Sequence, residues 1–404
     1  MPKVLFLTHR FPHPPNKGDK IRALNILEHL AQRYEVFLGC LNEDRQGPAN
    51  LDWAAARGFK VYCGVSNLVQ RLPQTVWSMI NGEPLSIGYF RHQGLLRWAA
   101  DVQKTQRPDL IYVFSSAMAQ YVAKDRPSGA KLIMDFVDVD AVKWRQYAAT
   151  KHPLISGLYA LEARRLLAHD RSIAQIADAS LFVSPSELDL FKTLAPEASA
   201  KVHAVSNGVD TSYFAPDAQV LPLPTTGRNI VFVGVMDYWP NVEAARWFAK
   251  DVFPVVRKTC TDVHFQIVGS SPSPAVRALA ETPGVEVTGA VADIRPYLQN
   301  ASVVVTPLRI ARGIQNKVLE GMAMGKPLVT TPDALEGISA RHNEHLLVAN
   351  SAESFAQQVV RCLTEPELLK MGQRARAFVV ENYSWSTQLK HLDAIIARPS
   401  ATPL

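Results

Sequence analysis

The stretch from Pro307 to Pro327, PLRIARGIQNKVLEGMAMGKP, brings three cations, a turn glycine and one carboxylate to the start of a single short helix. A strand pattern ends near Pro307, Gly313 opens the turn, and Lys317, Glu320 and Gly321 fall on a helix that Gly325-Lys326-Pro327 terminates. Backbone amides around Gly313 and Ile314 at that helix N-terminus, assisted by Arg309, Arg312 and Lys317, make a cradle for a diphosphate. One turn on, Glu320 is placed to accept hydrogen bonds from a pair of vicinal hydroxyls such as those of a ribose. A solvated Lys317–Glu320 ion pair at i,i+3 satisfies the same spacing, and spacing alone leaves both readings open.

The loop His9–Lys20 (HRFPHPPNKGDK) offers a second place for an anion. Proline stiffens it, and it feeds a helix that begins around Asp19, Lys20 and Arg22; Gly18 would let the backbone approach a phosphate closely. A surface loop with solvated charges fits those residues equally well. The chain contains no G-x-G-x-x-G, no G-x-x-x-x-G-K-[ST] and no H-E-x-x-H, so simple dinucleotide, P-loop and zinc-protease readings lose their main support. Cys40, Cys63, Cys260 and Cys362 form no C-x-x-C; they read as four buried thiols in a reducing cytosol, with neither a zinc site nor a redox pair signalled.

Positioning such groups requires sheets whose strand ends carry loops. Short β-branched runs alternate with helical patterns at Val4–Thr8, Glu35–Leu41, Leu110–Phe114, Lys131–Val137, Ser180–Ser184 and Val202–Val205. A second series follows at Ile230–Gly234, Val263–Gly269, Val285–Gly289, Ser302–Pro307 and Pro327–Thr331. Two parallel α/β sheets are implied. Helical patterns cover Lys20–Gln32, Glu243–Phe253, Glu353–Thr364, Pro366–Glu381 and Ser386–Ala397. Between the two series, Ala215–Arg228 (APDAQVLPLPTTGR) carries three prolines and no helical period. The domains are therefore expected at 1–214 and 229–384 with a linker at 215–228, a length of 404 residues suiting two cores.

The net charge of +6 is concentrated early: residues 1–210 hold 25 Lys and Arg against 20 Asp and Glu. An excess this dilute suits a polyanionic substrate or an anionic membrane surface better than a nucleic-acid groove. No run approaches the ~18–20 apolar residues of a membrane span, and Val4–Thr8 meets Arg10 too soon to be a signal-peptide core. Segments 67–80 and 90–107 each mix Arg with Leu and Trp; attachment to anionic lipid and ordinary packing on the sheet both fit, packing the better.

Taken together, KVLEGMAMGKPLVTT (317–331), LFLTHRFPHPPNKGDKIR (5–22), SNGVDTSYFAP (206–216), FVGVMDYWPNVEAARWF (232–248), FQIVGS (265–270) and VTGAVADIRPYL (287–298) resemble glycosyltransferase family 4 along nearly the whole chain. MDFVDVDAVKW (134–144) with RGIQNKVLE is similar to the branch of sugar transferases associated with exopolysaccharide and exosortase gene clusters. The resemblance implies the GT-B fold, two Rossmann-like doubly wound domains facing each other across a cleft. It implies an acceptor-side first domain, a nucleotide-sugar-binding second domain, and a last helix (385–404) crossing back to the first.

Carried over by position, Glu320 matches the second glutamate of the family's E-x7-E motif, which contacts the nucleotide ribose. Gly18 matches the loop glycine beside the donor phosphates, Gly234 the glycine after the first strand of the second domain, and Gly289–Ile294 the base-contacting loop. Two departures stand out: Arg312 occupies the place of the first glutamate, and Val235-Met236-Asp237 replaces the usual Arg and Lys phosphate clamp. Arg309 and Lys317, with Arg312, are expected to supply the missing positive charge.

The implied activity is retaining transfer of a sugar, a hexose, from a nucleoside-diphosphate sugar to a glycan or lipid-linked acceptor, in exopolysaccharide or glycolipid biosynthesis. An epimerase or hydrolase of such sugars on the same fold, or a non-catalytic sugar-binding protein, are the alternatives. No metal or other cofactor is expected, because helix-end amides and cations stabilise the departing diphosphate. Asp138-Val139-Asp140 is accordingly read as hydrogen-bonding to sugar hydroxyls or to Arg145 rather than to a cation. For the acceptor proton Asp138 is the first choice among Asp138, Asp140, His9, His13 and His169, being at a strand's carboxyl end; Trp144 would face a sugar ring or simply pack. The expected place is cytoplasmic, at the inner face of the membrane.

Overall fold

The computed structural model describes residues 1–42, 47–65, 68–123, 126–150, 153–217, 220, 227–311 and 313–399. Two compact units emerge, Met1–Val205 with Leu389–Leu404, and Ser206–Gln388.

In the first unit run β1 (Lys3–Thr8), β2 (Glu35–Asn42), β3 (Lys60–Val65), β4 (Leu110–Phe114), β5 (Lys131–Val137), β6 (Ala179–Phe182) and β7 (Val202–Ala204). They form one parallel sheet in the order β3-β2-β1-β4-β5-β6-β7. Alternation along each strand feeds two cores: Leu5, Leu7, Ile111 and Val113 point into one, Val4, Phe6, Leu110 and Tyr112 into the other. Helices must cover both faces, which is why these strands read as continuous apolar runs.

The second unit contains β8 (Arg228–Val233), β9 (Val263–Val268), β10 (Val285–Gly289), β11 (Ala301–Thr306), β12 (Leu328–Thr330) and β13 (Leu347–Val348). These too are parallel, in the order β10-β9-β8-β11-β12-β13. Both β3 and β13 escaped the sequence pattern. Each is a sheet edge; most of β3 is only partly buried and β13 has two residues, so neither shows a buried apolar run.

Several boundaries move for identifiable reasons. β6 stops at Phe182 because Ser184 leaves the sheet to cap the helix Pro185–Leu194, its side chain accepting from the Glu187 amide. The expected helix 243–253 begins earlier, at Trp239 with Pro240 in its first turn, and passes through a π-helical turn at Phe248–Val252. The division between units falls at 205/206 rather than within 215–228. Residues 206–217 are tied to the second unit: the Val209 amide donates to Tyr383 O (2.8 Å), Arg376 donates to Phe214 O (2.9 Å), and the Asp217 amide donates to Gln299 (3.1 Å). Residues 218–219 and 221–226 of the expected linker lie outside the described residues.

The last helix, Trp385–Ala397, starts in the second unit, and from Leu389 onward belongs to the first. Leu392 and Ile395 enter the first unit's core, while Lys131 Nζ donates to the carbonyls of Ile395 (3.0 Å) and Ile396 (2.7 Å). Beneath the same sheet, Arg22 Nε and Nη2 donate to the two carboxylate oxygens of Asp135 (2.9 and 3.2 Å), and Tyr112 Oη adds a 2.6 Å bond. Both charges are fully buried.

The two Arg-rich segments part company. Gln93–Asp101 buries Leu95 and Ala99 in the core, as packing requires. The helix Leu68–Ile80 instead leaves Leu72, Val76, Trp77, Met79 and Ile80 exposed, Ile80 at 79%. The cysteine reading also changes: Cys63 is only partly buried, and strand pairing sets it directly opposite Cys40, 23 positions earlier. No short-range spacing announces such a neighbour.

Candidate functional site

In the second unit the turn after β8, met by the end of β9 at Gly269, is joined to the helix Asn316–Ala323, which packs on β11 and β12. The chain leaves β8 at Gly234, where a methyl group would lie 2.8 Å from Asn241 Nδ2. Gly269, at the end of β9 with φ 149°, approaches Gly234 so closely that a methyl group would sit 1.7 Å from its carbonyl oxygen. Only glycines allow this contact. Buried Asn241 donates to Val235 O (2.9 Å) and accepts from Lys317 Nζ (2.9 Å), joining the β8 turn to the short helix.

That helix is fixed by Gly321, where a methyl group would come within 2.8 Å of Leu328 Cδ1 and 3.0 Å of Val304 Cγ1. Close packing on β11 and β12 therefore sets where Lys317 and Glu320 stand. Gly313 turns the chain with φ 64°, Ile314 is buried, and Gln315 at the N-cap supplies no capping side chain. The Val318 amide already donates to Gln315 O (2.9 Å); the amides of Asn316 and Lys317 ahead of it have no intrahelical acceptor, so this end suits an anion. Asn316 Oδ1 is buried without a hydrogen-bond partner.

Charge at this place is held near neutrality. Burial pushes the Glu320 carboxyl up to about 7 against the opposing pull of Lys317, and burial brings the Lys317 ammonium down to about 8 against the pull of Glu320. No hydrogen bond or ion pair joins the two side chains among the described residues; Lys317 turns to Asn241, so the solvated i,i+3 pair is not formed. The Arg309 guanidinium is ion-paired to Glu243 and lies 5.1 Å from the Trp247 ring centroid. Arg312 lies outside the described residues. In the expected base-side loop, Gly289 has φ 71° and Asp293 binds both Arg295 and the Tyr213 hydroxyl (3.1 Å).

Gly18 opens the helix Gly18–Ala31 in the first unit, and a methyl group there would meet nothing within 4 Å. The cations expected around it are otherwise engaged. Arg22 is buried on Asp135 and Lys20 is buried, while Arg10 (2.6 Å) and His9 (3.3 Å) meet Asp19. Burial opposes ionisation of Asp19, but its hydrogen bonds to His9 and Arg10 outweigh that and hold its carboxyl well below the usual range. His9 Nδ1 is buried and unpartnered.

Asp138 follows β5, and Lys143 Nζ sits between it (2.7 Å) and Asp140 (3.0 Å). The expected partner was Arg145; one helical turn makes Lys143 the nearer cation. Trp144 packs 5.2 Å from the Tyr159 ring, as simple packing requires, and also lines a pocket. His13 stacks on Trp53 (4.7 Å), and burial lowers its affinity for a proton. His169 is similarly lowered by burial, and its Nε2 is unpartnered. Asn241 was not singled out from the sequence; its place two residues before the Glu243 helical pattern gave no polar signal.

Residues 227–365 match the family described as "Glycosyl transferases group 1". An uncharacterized 44.6 kDa protein in cps region from Klebsiella pneumoniae is 23% identical over 164 residues, 38% of this chain and 42% of that protein. An uncharacterized glycosyltransferase of Methanocaldococcus jannaschii is 29% identical over 89 residues, 21% of this chain and 23% of that one. The chain thus spans less than half the length of these curated relatives. Among solved structures, Anabaena HepE in complex with UDP and glucose superposes with a TM-score of 0.66 at 13% identity, covering 99% of this chain and 100% of that one.

Proposed function

Starting from a glycosyl transferases group 1 domain at residues 227–365 in a chain of GT-B fold, we propose that this protein moves a sugar, with retention, from a nucleoside-diphosphate sugar to a hydroxyl of a glycan or lipid-linked acceptor. The carrying observation is the junction of Gly234, Asn241, Lys317 and Glu320 at one helix N-terminus. The side-chain-free turn at Gly234 leaves backbone room for a diphosphate. Lys317 and the first-turn amides stabilise the charge that develops as the diphosphate departs, without a metal. Glu320 accepts from the ribose hydroxyls. Because Arg309 is held by Glu243, Lys317 carries most of the charge stabilisation at this helix.

On the acceptor side, Asp138 receives the hydroxyl proton, its carboxylate oriented by Lys143. HepE was solved with UDP, which makes a UDP-sugar the first donor to test. We place the protein at the cytoplasmic face of a membrane, in exopolysaccharide or glycolipid assembly; the exposed apolar residues of Leu68–Ile80 support this, and no described helix is long and apolar enough to cross. The test is UDP affinity and UDP-sugar turnover in the wild type, Lys317→Met and Asp138→Asn. Lys317→Met should weaken UDP binding and cut turnover at least tenfold, and Asp138→Asn should cut turnover while sparing UDP binding. Unchanged turnover at saturating and limiting donor in both variants overturns the assignment.

A further inference from the structure

A cavity of about 250 Å³ opens within the first unit where β4 and β5 end, walled by Phe90, Ser115, Ser116, Asp140, Lys143 and Trp144. It is smaller than the ~300–1,000 Å³ of a drug-sized site, so it holds one ring rather than a run of them. In open parallel sheets the ligand crevice lies beyond the carboxyl ends of the strands, and these two strands are hydrogen-bonded neighbours.

The backbone is unusual at both strand ends. Ser115 has φ 78° and Val137 φ 71°, the second being rare for a β-branched residue. One buried residue holds both: the Asp135 carbonyl accepts from the Ser115 amide (2.8 Å) and its carboxylate accepts from the Val137 amide (3.2 Å). Arg22 and Tyr112 fix that carboxylate in turn. Strain of this kind persists where surrounding structure over-determines it.

The charge lining the cavity selects among ligands. Among the described residues Lys143 is the one cation of the lining, and it already bridges Asp138 and Asp140, leaving one negative charge in excess. Behind Ser116, whose hydroxyl donates to Asp170, burial pushes the Asp170 carboxyl up to about 8, so it adds no charge near neutrality. A phosphate or carboxylate would find no uncommitted cation here. An uncharged polyol finds acceptors on Asp140, a donor on Lys143, hydroxyls on Ser115 and Ser116, and the flat apolar faces of Trp144 and Phe90.

We propose that this cavity is the subsite for one neutral sugar ring of the acceptor, stacked on Trp144 with its hydroxyls on Asp140 and Lys143. The proposal rests on the sugar-transfer reading above, with any lipid or phosphate part of the acceptor lying outside this cavity.

The test is saturation-transfer NMR on the full chain with methyl glycosides of glucose, galactose, mannose and N-acetylglucosamine, against glucuronate and glucose 6-phosphate. At least one neutral glycoside should bind at least tenfold more tightly than both charged sugars, and should weaken at least fivefold in Asp140→Asn and in Trp144→Phe. Circular dichroism and UDP binding should match the wild type in both variants. Charged sugars binding as well as neutral ones, no neutral glycoside binding, or affinity untouched by both substitutions each overturns the proposal. Binding of UDP, GDP and ADP in the same samples separates the two readings: binding of any one with no glycoside signal removes this subsite alone, whereas binding of none removes the sugar-transfer reading.

Discussion

Glu320 and Lys317 stand three residues apart, each shifted toward its neutral form by burial. Nucleotide affinity should therefore rise with pH through about 7 as Glu320 ionises and becomes a better acceptor for ribose hydroxyls, and level off towards 8 as Lys317 begins to lose its proton. Isothermal titration with UDP from pH 6 to 8 checks this, and Glu320→Gln should flatten the profile. Stability runs the other way. A carboxyl raised from 4.5 to about 7 holds its proton more tightly when folded, so its contribution is complete below about 4.5 and is lost as pH rises through 7. A different residue governs the first unit: Asp135→Asn leaves Arg22 buried against a neutral partner and should cost about 3–5 kcal/mol in urea unfolding. The residue chemistry was unevenly legible. Spacing sets Lys317 and Glu320 on one helix but left two readings of them open, and Gly234 entered only with the family resemblance, whereas Arg22–Asp135 and Lys317–Asn241 join residues 113 and 76 positions apart and arise only from folding.

At the scale of elements, the parallel strands that cross a core were readable because both of their faces are apolar; the edge strands β3 and β13 were not. The composition of Leu68–Ile80 left two fates open, and in the structure Val76, Trp77 and Ile80 lie more than half exposed on one helix. A helix with this face should rest on a bilayer interface. Co-sedimentation with phosphatidylglycerol-containing vesicles should fall at least fivefold in the double variant Trp77→Ser/Ile80→Ser, with UDP affinity unchanged. Equal sedimentation of variant and wild type would mean that this face meets something other than lipid.

For the whole molecule, two sheets of seven and six strands were foreshadowed by two series of β-branched runs, but the point of division was not. Proline content marked 215–228, while the hydrogen bonds of Val209, Phe214 and Asp217 assign that approach to the second unit. The return of the chain is as consequential. Leu392 is completely buried among first-unit residues, and Leu392→Ala should destabilise by about 2–5 kcal/mol. Calorimetry should show the loss in the transition that Asp135→Asn also lowers. Residues 1–205 therefore leave the ribosome with a core that still lacks one wall, and the missing piece is translated only after the whole second unit. Synthesis at ~5–20 residues per second separates the two events by about ten seconds or more. Over that interval the nascent first unit exposes the apolar surface that Leu392 and Ile395 will cover, which makes it a natural client for a chaperone. A nonsense codon after Gln388 would strand it in that state.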